Sequence, residues 1–198
     1  MRRLVFTVVA LLLMGQGPPD PNEPYDRGRF GGWLDEDGDC QDTRAEVLIR
    51  QSEIPVTFQG QKECVVQRGR WTDPYDGRVV TAAASMEIDV VVPLEHAHER
   101  GMYRVGNREK GEYLNDLTVG HLWAVHVSTF AAKNGRGVKE YTPSRVAFNC
   151  DYAVSWFFAK MRWDLSADPN EVLVIGQLAS FDDPNGVRVP CSSDLTPD

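Results

Sequence analysis

The chain opens with a hydrophobic run and continues as short apolar segments separated by turn residues. The run covers residues 4–14 and follows two arginines. It is shorter than the roughly 20 apolar residues that a membrane span needs, whereas a positive start and a short apolar run are typical of signal peptides. We therefore expect a signal peptide at residues 1–17 and a secreted or extracytoplasmic protein. The triplet Gly15-Gln16-Gly17 is a poor cleavage site, so an uncleaved anchor is the alternative.

Beyond residue 32, the hydrophobic pattern predicts strands and helices in alternation. The strongest predicted strand, residues 86–92, ends at Pro93, and a short helix over residues 94–100 follows. Other predicted strands cover residues 56–58, 64–66, 70–71, 78–81 and 122–127. Other predicted helices cover residues 42–52, 143–163 and a last segment that begins at Asp168 and ends before Asp182. The pattern therefore predicts an α+β fold with a small antiparallel sheet and flanking helices.

Composition divides the chain into a folded domain and two flanking segments. Residues 18–32 are rich in Pro, Gly and Asp without a hydrophobic period, so we expect a flexible linker there. The folded domain is predicted at residues 33–191 and a tail at 192–198. The chain has 198 residues, of which 42% are hydrophobic and 25% charged. That length allows one well-buried core and not two, so we expect a single domain.

The charge balance opposes a general affinity for polyanions. The chain has 21 Lys and Arg residues against 29 Asp and Glu residues, which gives a net charge of -8. A molecule with this charge repels nucleic acid at long range. DNA is therefore a possible partner only if a local basic patch contacts the phosphates.

The chain has four cysteines. Because this is an even number in a chain with a predicted export signal, two disulfides are favoured over metal ligation or thiol catalysis. The cysteines are Cys40, Cys64, Cys150 and Cys191, and none belongs to a C-x-x-C pair. Of the three pairings, we prefer Cys40 with Cys64 and Cys150 with Cys191, because each joins neighbouring elements. Four buried free thiols are the alternative.

Several motifs occur along the chain in an order that is more specific than any one of them. The first is Asp89-Val90-Val91-Val92-Pro93-Leu94 with Ala97-His98. The later ones are Asn115-Asp116-Leu117, Phe130-Ala131-Ala132-Lys133-Asn134, Tyr141-Thr142-Pro143 and Cys150-Asp151-Tyr152. Two more motifs lie before Asp89, namely Asp39-Cys40-Gln41-Asp42-Thr43-Arg44 and Trp71-Thr72-Asp73-Pro74-Tyr75. Over residues 33–191 the chain resembles the HNH, or ββα-metal, nuclease superfamily, in the exported branch related to the C-terminal domain of GmrSD-type restriction enzymes.

The resemblance implies a ββα-metal-like core of strand, loop and short helix, and metal-dependent hydrolysis of DNA phosphodiester bonds. In that family the aspartate helps hold a divalent metal, the next residue is a histidine that acts as general base, and a later asparagine ligates or orients. This chain keeps Asp89, which would be the metal ligand, but has Val90 and Phe130 at the other two positions. Loss of one general base costs about 10²- to 10⁴-fold in rate. If the protein is active, the implied cofactor is Mg²⁺ or Mn²⁺.

Two histidines are candidates to replace the missing base. His126 lies four residues before Phe130, a spacing that puts both on one side of a strand or a helix. His98 matches a family position and could reach the cleft from the short helix after Asp89. A structural role is the alternative for both, and it is the main interpretation for His96 and His121. Asp89 also has an alternative, because a carboxylate at the end of a strand often caps a neighbouring turn.

Two basic residues follow the predicted catalytic region. Lys133 aligns with the lysine of the family motif, and Arg136 lies three residues later. Both could contact substrate phosphates. The alternative is a solvated loop without a nucleic-acid role.

A separate acidic segment has the oxygen spacing of a calcium loop. Asp35, Asp37, Asp39 and Glu46 occupy positions 1, 3, 5 and 12 of a twelve-residue stretch. Position 6, where such loops need glycine for a sharp turn, is Cys40, and no helix is predicted before Asp35. The alternative is a polar turn that precedes a capped helix.

The sequence therefore predicts an exported protein of the HNH nuclease type with a degenerate catalytic motif, which hydrolyses DNA if it is active. The alternative is a catalytically inactive protein of the same fold that binds nucleic acid or a protein partner. A third interpretation is an exported, disulfide-bonded domain without a nucleic-acid role. Apart from a possible uncleaved anchor, no membrane partner is expected.

Overall fold

The computed structural model describes residues 22–182 and 188–190, and it has an α+β architecture with small antiparallel sheets, as the sequence predicts. The strands are β1 (Thr57–Gln59), β2 (Val65–Thr72), β3 (Val79–Ala82), β4 (Met86–Val90), β5 (Leu122–His126), β6 (Ser180–Asp182) and β7 (Arg188–Pro190). The helices are α1 (Thr43–Arg50), α2 (Leu94–Arg100), α3 (Asn107–Leu114), α4 (Val127–Lys133), α5 (Asn149–Arg162) and α6 (Pro169–Leu178). Short 3₁₀ turns cover Arg27–Phe30, Ala83–Ser85, Met102–Arg104 and Val146–Phe148.

The first sheet is the antiparallel meander β1-β2-β3, and it packs on helix α1. Asp42 caps α1, because its side chain accepts a hydrogen bond from the Ala45 backbone N–H. Trp71 on β2 is 1% exposed, and its indole Nε1 donates to the Leu48 carbonyl at 2.8 Å. The buried indole therefore joins the meander to the helix.

The second sheet pairs β4 with β5, which are far apart in sequence. The connection between them contains α2 and α3, and α4 follows β5 without a loop. Tyr113 on α3 is fully buried, and its hydroxyl donates to the Val92 carbonyl at 2.6 Å. Helix α4 packs on both strands. This part of the fold places the end of β4 next to the last turn of α4.

Helices α5 and α6 pack against each other around a buried ion pair. Glu171 is fully buried, and Lys160 Nζ lies 2.7 Å from its Oε1. His96 Nε2 lies 3.1 Å from the same oxygen. Burial opposes the ionised form of Glu171, but the hydrogen bonds from His96 and Lys160 outweigh it and lower the pKa of this carboxyl.

Part of the segment predicted as a linker packs on the core. Phe30 is 1% exposed and forms an edge contact with the ring of Tyr113, at 6.3 Å between centroids. The Asn115 amide donates to the Gly32 carbonyl at 3.1 Å. The composition of residues 18–32 did not predict this contact, because a single aromatic residue produces no hydrophobic period.

The observed elements follow the predicted order with several differences. The predicted strands at 64–66 and 70–71 are one continuous strand, and the strand predicted to reach residue 92 ends at Val90. Helices α3 and α4 and the antiparallel pair β6–β7 were not predicted. The helix expected from residue 143 begins at Asn149, after a 3₁₀ turn over Val146–Phe148. No helix in the described residues is long and apolar enough to cross a membrane.

The disulfide between Cys40 and Cys64 is confirmed, with 5.1 Å between the two Cα atoms. Cys150 is not a free thiol. Its predicted partner Cys191 lies outside the described residues, as do the predicted signal peptide and the tail after residue 191.

Candidate functional site

The candidate site lies where the β4–β5 pair meets the end of α4. Asp89 on β4 is paired with Trp123 on β5. His126 ends β5 and caps α4, because its side chain accepts a hydrogen bond from the Ser128 backbone N–H. Since α4 packs back on both strands, its last turn brings Lys133 to the side chain of Asp89.

Asp89 is buried and forms two short hydrogen bonds through one oxygen. Its Oδ2 accepts from Lys133 Nζ at 2.6 Å and from the Tyr75 hydroxyl at 2.5 Å. Lys133 Nζ also donates to the carbonyls of Val91 at 2.9 Å and Val90 at 3.2 Å. The three N–H groups of the ammonium therefore have three oxygen acceptors. Lys133 is 1% exposed, so these bonds replace its water shell.

Two aromatic rings complete the surroundings of the ammonium. Lys133 Nζ lies 5.7 Å from the ring centroid of Tyr75 and 5.8 Å from that of Tyr152. These distances allow cation–π attraction, which is stronger when the cation is desolvated. We refer to Asp89, Lys133, Tyr75 and Tyr152 as the Asp–Lys cluster.

Burial shifts the pKa values of the cluster in the directions expected for a low dielectric. It raises the pKa of the Asp89 carboxyl and lowers that of the Lys133 ammonium, and in each case the opposite charge of the partner counteracts the shift. Burial, reinforced by the charge of Asp89, raises the pKa of Tyr75 well above its usual value. Tyr75 therefore keeps its proton and remains a hydrogen-bond donor to Asp89.

A cleft of about 360 Å³ opens beside the cluster, and both degenerate motif positions line it. Val90 is 8% exposed and Phe130 is 41% exposed. Other lining residues include Tyr25, Trp33, Glu87 and Glu95. The structure thus brings together the two positions that the motif comparison singles out, and it places apolar side chains at both.

The residues around Asp89 do not fit a divalent metal. Mg²⁺ needs several oxygen ligands in a near-octahedral arrangement. Lys133 already neutralises the charge of Asp89, and Val90 and Phe130 offer no ligand atom. In the described part of the chain, no group of three His, Cys, Asp or Glu side chains with ligand atoms within 4.8 Å of one another includes Asp89.

The acidic segment at residues 35–39 does bring three carboxylates together. Oxygen atoms of Asp35, Asp37 and Asp39 lie within 4.8 Å of one another, and all three residues are exposed. Asp35 accepts hydrogen bonds from the backbone N–H groups of Gly38 and Cys40, both at 2.9 Å. Glu46, the expected twelfth residue, is not part of the group. The carboxylates stabilise a turn, as the alternative interpretation expected.

His126 lies too far along the strand to act with Asp89. It pairs with Met86, three residues before Asp89 on β4, which corresponds to about 10 Å along a strand. Its Nδ1 lies 2.7 Å from Ser128 Oγ and 3.0 Å from Arg78 Nη1. These contacts give His126 a structural role at the start of α4.

His98 does not line the cleft beside Asp89. It is 4% exposed, its Nε2 lies 2.7 Å from the Glu23 carbonyl, and its ring contacts Tyr25. The prediction that His98 could reach the cleft fails because the segment at residues 22–33 covers this side of α2. His121 is also buried, with Nε2 2.8 Å from the Tyr113 carbonyl.

The two residues predicted to contact phosphates, Lys133 and Arg136, make contacts within the fold instead. Lys133 is buried in the Asp–Lys cluster, so its ammonium is not accessible to a polyanion. Arg136 donates to the carbonyls of Ala132, Lys133 and Glu140, and it lies 5.6 Å from the ring centroid of Tyr141. Its guanidinium therefore caps the C-terminal end of α4 by donating hydrogen bonds to carbonyls there.

Tyr75 is one of the two members of the Asp–Lys cluster, with Tyr152, that were not predicted as site residues. It belongs to the Trp71-Thr72-Asp73-Pro74-Tyr75 motif, where it follows a proline in a polar turn and shows no hydrophobic period. The neighbouring Asp73 is fully buried and accepts from the backbone N–H groups of Tyr75 and His126, both at 2.8 Å. The motif order was the only signal available for this residue.

Comparison with known proteins identifies one relative. An uncharacterized secreted protein of Arthroderma benhamiae is 32% identical over 154 residues, which cover 78% of this chain and 74% of the relative. No protein-family model and no solved structure matches the chain significantly. The secreted localisation expected from the N-terminus agrees with this relative, and we take the protein to be extracellular. The chain therefore belongs to the same family as this secreted Arthroderma protein.

Proposed function

We propose that the protein is a secreted pseudoenzyme of the HNH type, which keeps the nuclease scaffold and binds a protein partner instead of cleaving DNA. The order of β4, β5 and α4, with the helix packed on both strands, supports the ββα scaffold. The main observation that supports a loss of activity is the ion pair between Lys133 Nζ and Asp89 Oδ2, which lie 2.6 Å apart.

This ion pair puts a fixed positive charge where the resemblance expects a metal. The ammonium is held by three oxygens and two tyrosine rings, and it has no exposed face for a water or phosphate ligand. A metal would have to displace it from Asp89 and leave a buried ammonium without its counterion, which is costly. The general base is also absent, because Val90 replaces it and neither candidate histidine lines the cleft.

The charges near the cleft favour a protein partner over nucleic acid. The two predicted phosphate contacts are used inside the fold, and the residues that line the cleft include the carboxylates Glu87 and Glu95 against the cation Arg27. The net charge of -8 adds long-range repulsion. The partly exposed Phe130 and the neighbouring Trp33 are side chains typical of protein-binding surfaces.

Plasmid nicking by the purified secreted protein tests the loss of activity. We expect no cleavage with Mg²⁺ or Mn²⁺ above the background of the Asp89→Asn variant. Cleavage by the wild-type protein that a chelator abolishes would contradict the proposal.

A reconstruction tests the kinship with HNH nucleases. The double variant Val90→His with Phe130→Asn restores the two motif residues, and Val90→Ile with Phe130→Leu is its matched control. Metal-dependent cleavage that appears in the first variant alone would support an intact scaffold, and it would show that the ion pair between Lys133 and Asp89 does not by itself exclude a metal.

Fluorescence anisotropy with labelled single- and double-stranded DNA tests the partner class. We expect no saturable binding at low salt, and binding would favour nucleic acid instead.

A further inference from the structure

The cleft beside Asp89 has two carboxylates in its wall that the fold leaves unpaired. Glu87 lies two residues before Asp89 on β4, so the two side chains point to the same side of the strand. Glu95 lies in the first turn of α2. Both glutamates line the cleft and are exposed, and neither forms an ion pair or a side-chain hydrogen bond with another described residue.

One cation offsets part of this charge. Arg27 also lines the cleft, and its Nη1 donates to the Gly31 carbonyl at 2.7 Å. The charge of Asp89 is balanced by Lys133. The described residues around the cleft therefore keep an excess of negative charge, in a molecule that is negative overall.

Aromatic and aliphatic side chains form much of the remaining wall. Tyr25, Trp33 and Phe130 supply the rings, and Phe130 is 41% exposed. The aliphatic lining residues are Ile88, Val90, Leu94 and Leu114. An occupant that matches this wall therefore needs a positive charge together with flat or apolar surface.

A guanidinium meets both requirements better than an ammonium does. It is planar and weakly hydrated, stacks on aromatic rings and forms paired hydrogen bonds with a carboxylate, whereas an ammonium is compact and strongly hydrated. A nucleic-acid base could also stack on the rings, but its phosphates would be repelled by Glu87 and Glu95.

Asp89 adds a hydrogen-bond acceptor to the same wall. Lys133 and Tyr75 both donate to Oδ2, so Oδ1 has no donor among the described residues. Oδ1 is not one of the enclosed atoms that lack a partner, so it keeps contact with the solvent. Since Asp89 lines the cleft, this oxygen is available to an N–H group that enters it.

We propose that the cleft receives an arginine side chain of the protein partner. This anchor deepens the proposed function and depends on it, because it occupies the same cleft. The guanidinium contacts the carboxylates of Glu87 and Glu95, and its plane packs against the aromatic wall that includes Trp33 and Phe130. An arginine held in this way is typical of the few side chains that carry most of the binding energy at an interface.

Titration of the full secreted protein with the capped tripeptide acetyl-Gly-Arg-Gly-amide tests the anchor. Heteronuclear NMR at low salt follows the binding. We expect saturation with a Kd on the order of 1 mM and a shift of the Trp33 indole N–H signal, which Trp33→Phe assigns. The matched peptide with citrulline in place of arginine has the same shape without the charge, and it should bind about tenfold more weakly.

Removal of each carboxylate tests the charge. Glu87→Gln and Glu95→Gln should each weaken binding of the arginine peptide about threefold, and the double variant about tenfold. Binding of the citrulline peptide should not change. The matched control Glu99→Gln removes an exposed carboxylate one helical turn further along α2, outside the cleft, and should leave both affinities unchanged.

Removal of a ring tests the aromatic wall. Phe130→Ala should weaken binding of the arginine peptide about threefold, because one ring that attracts the cation is lost. The control Phe157→Ala removes a ring that is 51% exposed on α5, outside the cleft, and should have no effect.

Three results would overturn the anchor. They are no saturation up to about 20 mM peptide, equal affinities for the arginine and citrulline peptides, and wild-type affinity in the Glu87→Gln, Glu95→Gln double variant. Plasmid nicking measures the proposed function separately. Metal-dependent nicking would overturn the pseudoenzyme whether or not the peptide binds, whereas absence of both nicking and peptide binding would overturn the arginine anchor alone.

Discussion

At the scale of single residues, the central feature is a lysine ammonium buried against an aspartate. The ion pair between Lys133 and Asp89 is surrounded by Tyr75 and Tyr152, and its charges are almost completely removed from water. The mutual attraction of such a pair offsets the loss of hydration only while both partners are present. Loss of either partner therefore costs more than the pair itself contributes.

Replacement of the lysine should be strongly destabilising. We expect Lys133→Met to lower the free energy of unfolding by about 3 to 5 kcal/mol, because Asp89 is left as a buried charge without a counterion and keeps only the hydrogen bond from Tyr75. Urea denaturation at neutral pH measures the change. The control Lys62→Met removes a lysine from an exposed loop and should change the stability by less than about 0.5 kcal/mol. Equal effects of the two substitutions would show that the ammonium is not buried in solution.

A double variant separates the charge from the shape of the side chains. Asp89→Asn combined with Lys133→Met removes both charges and keeps similar volumes. Its destabilisation should be smaller than the sum for the two single variants, because residues in direct contact are coupled. Additive losses would contradict the ion pair.

At the scale of elements, the disulfide and the buried indole hold the meander against α1 from two sides. Cys40 precedes α1 and is bonded to Cys64 just before β2. Trp71, further along β2, donates to the Leu48 carbonyl of α1. The bridge closes a loop of 24 residues in the unfolded chain, which restricts that state.

Removal of this bridge should destabilise the protein without changing the fold. We expect the Cys40→Ser, Cys64→Ser double variant to lose about 3.5 kcal/mol of unfolding free energy, as calculated from the loop length. Guanidinium denaturation measures the loss, and far-ultraviolet circular dichroism checks the secondary structure. The variant leaves Cys150 unchanged, so the effect belongs to one bridge. An unchanged denaturation midpoint would contradict the expected role.

Sequence patterns predicted neither the full length of β2 nor the presence of α4. Strand β2 was expected to break near Gly69, but this glycine is buried within the strand. A Cβ atom there would lie 2.7 Å from both the Ser52 hydroxyl and the Trp71 ring, so glycine is needed for close packing. Helix α4 has only seven residues, too few to establish a helical period, and its apolar residues Val127 and Phe130 are exposed. Its position depends on contacts with β4 and β5.

At the scale of the whole molecule, the segment at residues 22–33 covers one side of the domain and forms part of the cleft wall. Tyr25 and Trp33 line the cleft, while Tyr25 also contacts the ring of His98. The Nε2–H of His98 donates to the Glu23 carbonyl, and its Nδ1 is buried without a partner. Burial lowers the pKa of His98, and the charges of Lys110 and Arg29 lower it further.

Acidification should therefore weaken the protein before its carboxylates titrate. Since the pKa of His98 is lower in the folded state than its ordinary value of about 6.5, the unfolded state binds more protons below that pH, and stability falls as pH falls. We expect a loss of up to about 1.4 kcal/mol from this residue at pH 5.5 relative to pH 7.5. Urea denaturation at several pH values measures the slope.

The variant His98→Phe keeps an aromatic ring against Tyr25 and removes the titrating group. Its stability should depend less on pH between 7.5 and 5.5 than that of the wild-type protein. The remaining slope should come from His121, whose pKa burial also lowers. An identical slope in the variant and the wild-type protein would show that His98 does not titrate differently in the two states.

From the sequence alone, the secreted localisation, the α+β class and the order of the main strands and helices were predictable, and the pairing of Cys40 with Cys64 was the favoured one of three. These features depend on local composition, short-range periodicity and turn residues, which a single chain displays directly. The tertiary structure decided which side chains meet. Asp89, Lys133 and Tyr75 are separated by many residues, and only the packing of α4 on the β4–β5 pair puts the ammonium on the carboxylate. Burial in turn sets the charges of these groups, because desolvation depends on the neighbours that the fold supplies.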